Sequence, residues 1–241
     1  MEGVSRAKVI LAIVFTALAG AASVAQQPTP TPSRTAPSAP AKPVVTRQQA
    51  DKAGQNPAAQ PSRSKKSDAT RPDDGLLVDG IYTEKFFNLR YSVPQGWTVQ
   101  TDEMRKGLPS GDTVLLLSAF AEPKPKADAV NSSITISAES AAQYKEAVDA
   151  EAYLEAVKNF AITKGFKVLN EPGEIEIGGV TFLRGDFVRE SADNVNTYQA
   201  TMVTVRKGYI LSVTAISGDE EQLTPLLNRL RIIAPPSLRR P

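Results

Sequence analysis

The sequence predicts a layered α+β domain, with a largely antiparallel sheet covered by two amphipathic helices. Three observations carry this. Two apolar segments close on two-residue turns at Gly178-Gly179 and Lys207-Gly208, as antiparallel hairpins do. Alternating apolar residues mark further short strands before them. Two stretches, near 150–164 and 217–233, carry apolar residues at three- and four-residue spacing. The globular part is placed at 76–234.

Ile81 to Phe86 and Leu89 to Val93 read as short strands separated by Phe87-Asn88. Pro94-Gln95-Gly96 forms a turn, and Trp97-Thr98-Val99 returns to extended chain. Thr113 to Ala121 is almost continuously apolar, which suits a central strand covered on both faces. Pro123 to Lys126 breaks it, and Ser133 to Ala138 alternates again.

The first long helix follows. Asp149 is a suitable N-cap, and Glu151 places negative charge at the positive end of the helix dipole. Tyr153, Leu154, Val157, Phe160 and Ala161 form the buried stripe, and Gly165 ends the helix. Ser140–Val148 is read as an extra helical turn. The Gly178-Gly179 turn pairs Ile177 with Val180 and Ile175 with Phe182, which leaves Glu176 and Thr181 on the opposite face. The Lys207-Gly208 turn pairs Val205 with Ile210, Thr204 with Leu211 and Met202 with Val213. Both faces of this second hairpin are partly apolar, which predicts a central position.

Ser217 and Glu220 have the spacing of a capping box. Leu223, Leu226, Leu227 and Leu230 then supply the stripe of a last helix. Pro225 inside it costs about 3 kcal/mol in a helix interior, so a kink or a restart at Thr224 is expected. Pro235-Pro236 ends it, and 235–241 is read as a frayed tail.

The chain before the domain has a different character. Arg6 and Lys8 precede an apolar run from Val9 to Val24, and Ser23-Val24-Ala25 are small residues before Gln26. This pattern reads as a signal peptide over 1–25, cut between Ala25 and Gln26. The run is shorter than the about 20 apolar residues of a spanning helix. The expected location is therefore periplasmic or secreted; the alternative is a protein anchored in the membrane by an uncleaved signal. Residues 26–75 contain nine prolines among Ser, Thr, Ala and Gln. No Val, Ile, Leu, Phe, Tyr or Trp occurs between Val45 and Leu76. Such a segment cannot offset the entropy of ordering and reads as a disordered linker.

Charge separates the two parts. Residues 26–75 carry eight Lys or Arg against four Asp or Glu, whereas residues 76–241 carry eighteen against twenty-one. A basic tether thus precedes a mildly acidic domain. Arg63, Lys65, Lys66 and Arg71 offer simple Coulomb attraction to anionic lipid or wall polymer, although a solvated linker is the plainer reading. An acidic exported domain without interleaved aromatics and bases is a poor match for nucleic acid.

The chain has no Cys and no His. Disulfides are excluded, so a core of about 165 residues must hold by burial alone. Ser-His-Asp and Cys-His nucleophilic machinery, His metal sites and ordinary zinc or iron–sulfur ligation are excluded as well. Gly178-Gly179 is not followed by a helix or a Gly-Lys-Ser/Thr, so no phosphate loop is present. Asp73-Asp74-Gly75 with Asp79 looks like a calcium loop but places Leu76, Leu77 and Val78 where oxygens are needed. Arg184 and Asp186 share a strand face near Arg189, which a surface ion pair explains. Trp97 is read as a core-edge aromatic. Asn131-Ser132-Ser133 matches a glycosylation sequon. No catalytic, cofactor-binding or metal residue is singled out, and no cofactor is expected.

Two stretches look familiar: Phe87-Asn-Leu-Arg-Tyr-Ser-Val-Pro-Gln-Gly-Trp97, and Arg206-Lys-Gly-Tyr-Ile-Leu-Ser-Val-Thr-Ala-Ile216. With the ending Leu230-Arg-Ile-Ile233 they make residues 80–233 resemble the PsbP-like family, a group that includes exported bacterial proteins. The resemblance implies an α/β/α sandwich with a central, mainly antiparallel sheet and two principal covering helices. It also implies a non-enzymatic binding or assembly role, since better-understood relatives act as accessory proteins on larger complexes. Its matched positions mark strands and turns, so no functional residue is carried over. The lack of His argues against importing any His-dependent manganese site.

The leading expectation is an exported, non-catalytic binding or assembly-accessory module, monomeric, that engages an envelope protein or polymer. Membrane contact is expected only through an uncleaved signal. Such a module needs an exposed apolar or charged patch on its folded domain. The alternative is a His-independent enzyme or small-ligand carrier with a carboxylate- or Lys-lined pocket of some hundreds of Å³.

Overall fold

Eleven strands and three α-helices are found among the described residues of the computed structural model, which are 71–108, 113–122, 129–144, 146–191 and 195–233. The expected signal segment with Ala25 and Gln26, the expected linker up to residue 70, and the expected tail 235–241 lie outside them. The fold is an α+β sandwich built on two antiparallel sheets.

The larger sheet has seven strands in the order β4-β5-β6-β10-β9-β8-β7. These are β4 (Thr98–Val99), β5 (Thr113–Phe120), β6 (Ser133–Ser140), β7 (Lys167–Ile177), β8 (Val180–Arg189), β9 (Thr197–Arg206) and β10 (Tyr209–Ser217). The smaller sheet has the order β1-β2-β3-β11, from β1 (Leu76–Val78), β2 (Ile81–Glu84), β3 (Leu89–Ser92) and β11 (Leu230–Ile232). The helices are α1 (Thr101–Lys106), α2 (Ala150–Thr163) and α3 (Leu223–Leu227).

Both hairpins close in the expected register, with Ile177 opposite Val180, Ile175 opposite Phe182, Val205 opposite Ile210 and Met202 opposite Val213. Gly178 and Gly179 have φ of 60° and 76°, the left-handed conformations that a two-residue hairpin turn requires. The β9–β10 hairpin is central, and β10 lies between β6 and β9.

Each face of the larger sheet has its own core. On one face α2 lays Tyr153, Leu154, Val157 and Ala161 against Phe187, Val203, Ile210 and Ile216. Asp149 caps α2 as expected, accepting from Ala152 N–H at 2.8 Å. On the other face Phe182, Met202, Leu211 and Val213 meet Leu223, Leu226 and Leu227 of α3, together with Tyr82, Leu89 and Tyr91 of the smaller sheet. Each fully buried Leu or Phe contributes about 1.5–3 kcal/mol, which is how a chain without disulfides holds together.

Four expectations are corrected. Thr113–Phe120 is covered on both faces but lies second from an edge, because β4 adds only two residues beyond it. Ser217 is the last residue of β10; its hydroxyl accepts from Asp219 N–H, and Asp219 instead caps a 3-10 turn over Glu220–Gln222. Helix α3 then starts at Leu223, which puts Pro225 in a first turn whose N–H groups have no helical partner anyway. Leu230 leaves the helix and pairs with Tyr91 as part of β11. Its burial in the same core cluster is why helical spacing and strand pairing look alike there. The Ser140–Val148 region holds a 3-10 turn at Ala141–Gln143.

Candidate functional site

Three places gather polar or exposed groups that packing alone does not require. The first is a cavity of about 390 Å³ between the β7–β8 edge and the start of α3. Register breaks on either side of Asn170 push β7 out of line and open it. Inside, Arg184 Nε lies 2.7 Å from Asp186 Oδ1, both side chains mostly buried. Arg184 also donates to Thr224 Oγ1 at 3.0 Å, tying the sheet to α3. The pair expected at the surface is therefore a partly buried clamp. Arg189 lies on the opposite face of β8, over the Phe166 ring at 5.1 Å. Glu171, Glu174, Glu220 and Glu221 also line the cavity, so one cation faces five carboxylates. Among the described residues no group of three or more acids closes around a metal ion.

The second place is a buried hydroxyl row on the α2 side of the larger sheet. Ser118, Thr135, Thr214 and Thr201 are successive cross-strand partners on β5, β6, β10 and β9. Thr201 and Thr214 share a 3.0 Å hydrogen bond, and Gln199 Nε2 donates to Thr201 Oγ1 at 3.1 Å. Gln199 Oε1 is buried without a hydrogen-bond partner. Near the end of β6, buried Glu139 accepts from Tyr144 at 2.9 Å, from Tyr153 at 3.2 Å and from Gln143. Burial, and then the Glu139 charge, push the Tyr153 hydroxyl well above its usual range. These groups were missed in the sequence, although hydroxyls alternate with apolar residues through Ser133–Ser137 and Ser212–Thr214.

The third place is the outer face of the smaller sheet. Hydrogen-bonded register sets two rows across it: Leu76, Thr83, Arg90, Arg231, and Val78, Ile81, Ser92 followed by Arg229. One edge of the face is apolar and the other basic. Leu76, Val78 and Ile81 are 64%, 52% and 44% exposed. Eight large apolar side chains are exposed among the described residues, and four of them (Leu76, Leu77, Val78, Ile81) fall in this one hairpin. Arg229 and Arg231 donate only to backbone carbonyls, of Ser92, Asn228 and Leu230. Among the described residues no carboxylate pairs with Arg90, Arg229 or Arg231. Arg90 and Arg231 are direct cross-strand partners, a placement of like charges that destabilises a sheet.

The hairpin turns on Asp79 (φ 50°) and Gly80 (φ 73°). Asp79 is thus a turn residue, while Asp73 accepts from Gly75 N–H and Asp74 pairs with Arg105 at 3.2 Å. The three acids that resemble a calcium loop are used separately. Trp97 packs half-buried against the core edge, as expected. Asn131 of the sequon is half-buried, with its Oδ1 unpartnered.

No family model and no curated protein matches the chain. Among solved structures it is similar to LpqN of Mycobacterium tuberculosis, described as involved in cell envelope biogenesis. That match has 15% identity and a TM-score of 0.40, covering 61% of this chain and 84% of that one. It is similar to a cyanobacterial PsbP from Synechocystis at 9% identity and a TM-score of 0.43, covering 66% and 95%. It is also similar to Mog1p, a Ran-binding protein of Saccharomyces cerevisiae, at 9% identity and a TM-score of 0.38, covering 60% and 90%. A PsbP, the family that residues 80–233 resemble, is thus among these neighbours; the likeness is one of fold.

Proposed function

We propose that the protein is an exported, non-catalytic binding or assembly-accessory module acting in the cell envelope or outside the cell. The observation that carries this is the outer face of the smaller sheet. A folded monomer with no partner gains nothing from three solvent-exposed aliphatics beside three arginines without carboxylates. Two of the four edge strands sharpen the contrast. Edge strand β7 is interrupted by Pro172, by register breaks and by Lys and Glu, all of which discourage pairing. Edge strand β1 is Leu-Leu-Val and carries no such device beyond its shortness.

The chemistry available supports binding over catalysis. The chain has neither His nor Cys. Glu84, a carboxyl held above its usual range by burial, is fully enclosed and bound to two backbone N–H groups. A second reading, a small-ligand carrier, is favoured by the acidic cavity at Arg184 and Asp186. It suits an extended amine-bearing ligand better than a point cation.

Affinity capture from envelope extract separates the two. Wild-type chain is compared with Leu76→Asn/Val78→Asn and with Thr224→Ala, the second of which removes the Arg184 partner at the cavity wall and leaves the outer face as it is. The module reading predicts a retained envelope component that the β1 variant loses and the cavity variant keeps. Loss in the cavity variant alone would move function to the cavity, and retention by both variants would remove it from the face.

A further inference from the structure

We propose that the partner of this outer face is the surface of an anionic lipid bilayer, a step that rests on the reading of the face as a binding surface. A bilayer offers a plane of negative headgroups above an apolar layer, and a protein that docks there needs both features on one face. Here Arg90, Arg229 and Arg231 occupy one edge of a sheet face, and Leu76, Val78 and Ile81 the other. Adjacent strands lie about 4.8 Å apart, so the apolar edge and the basic edge are separated by only two or three strand spacings. Phosphates neutralise the Arg90–Arg231 repulsion that the sheet otherwise carries uncompensated.

Neither of the cavities near β7 and β8 is lined by a residue of β1, β2, β3 or β11. The thirteen residues leading into β1 carry Arg63, Lys65, Lys66 and Arg71 against Asp68, Asp73 and Asp74, a net charge of +1. At about 3.5 Å per residue Arg71 stays within ~18 Å of the face. Asp73, Asp74 and Asp79 border the apolar edge, and Arg105 pairs with both Asp74 and Asp102. The sequence alone offers membrane contact through an uncleaved leader or through the basic tether; this face supplies a contact on the folded domain that survives removal of the leader.

The test is flotation of the purified chain starting at Gln26 with two kinds of vesicle. One is phosphatidylcholine alone, and the other is equal parts phosphatidylcholine and phosphatidylglycerol. All residues of both core clusters lie between Tyr82 and Ile232, so this chain keeps the whole fold. Binding is expected to the anionic vesicles only, and it should weaken as salt rises. Replacing Arg90, Arg229 and Arg231 together by Gln should weaken it at least ~10-fold, at about a few-fold per arginine. Leu76→Asn/Val78→Asn should weaken it as well, with unchanged circular dichroism in both variants.

No binding by wild type would overturn the proposal. So would binding untouched by the face substitutions; if it vanished on replacing Arg63, Lys65 and Lys66 by Gln, the tether would be the lipid contact. Capture of an envelope protein through the same face without any vesicle binding would overturn the lipid assignment and leave the binding module standing. Failure of both would remove the reading of the face itself.

Discussion

Glu84 is fully buried, and its two oxygens accept from Phe86 N–H and Phe87 N–H, each at 2.8 Å. This carboxylate shapes the turn between β2 and β3, whose carbonyls then accept from Lys207 and, at 3.2 Å, from Arg206. Phe86 and Phe87 meet Tyr209 edge to face, with centroids 5.4 and 6.2 Å away. One acid thus fixes the smaller sheet to the tip of the central hairpin. Glu84→Ala strands two buried N–H groups at about 1–3 kcal/mol each, so a loss of ~2–6 kcal/mol is expected in urea unfolding. Burial, helped by the Asp73 charge, holds the folded-state pKa above its ordinary 4.5, with the backbone N–H groups of Phe87, Phe86 and Asp73 opposing. The folded state therefore binds this proton more tightly than the unfolded state. The favourable contribution is present below the unfolded value and is lost as pH rises through the folded one. Wild type should accordingly lose stability relative to Glu84→Gln as pH rises across the carboxyl range. A constant difference from about pH 3 to about pH 8 would show that Glu84 does not titrate abnormally.

At the scale of elements, β11 of the smaller sheet makes one close backbone approach to the β7–β8 turn of the larger one. A Cβ on Gly178 would lie 2.0 Å from the carbonyl oxygen of Ile232, at a φ of 60°. A Cβ on Gly179 would meet nothing within 4 Å. Gly179→Ala should therefore cost only the left-handed backbone, about 1–2 kcal/mol. Gly178→Ala must also displace β11 and should cost clearly more, ~3 kcal/mol or above. Equal unfolding midpoints for the two variants would contradict this account of the junction. The same elements show what was legible in the sequence. Gly178-Gly179 and Lys207-Gly208 stand between residues whose alternation agrees with the turn, so hairpin and register could both be read. Asp79-Gly80 is an equally good turn, but the three apolar residues before it were too short a run to register as a strand. Helix α1 left only a charge signal, Asp102 and Glu103 in its first turn and Arg105 and Lys106 in its last. The cavity was not legible, because it depends on register breaks in β7 and on Thr224 arriving from forty residues away. The outer face was hidden for the same reason. Arg90 and Arg231 are neighbours only once β11 has paired with β3.

For the whole molecule, the described residues form a well-filled interior and leave one face that none of them covers. Two core clusters on opposite sides of the seven-stranded sheet carry the stability. The outer face of the smaller sheet stands apart from both, so it can be altered with little effect on folding. That separation makes binding by this face testable in place. A photo-crosslinking residue is introduced into the full chain, in its own host, at Val78 or Arg90 on the face, or at exposed Glu151 on α2. The account predicts adducts to an envelope component from Val78 and Arg90 and none from Glu151. Adducts from Glu151 with none from Val78 or Arg90 would contradict it.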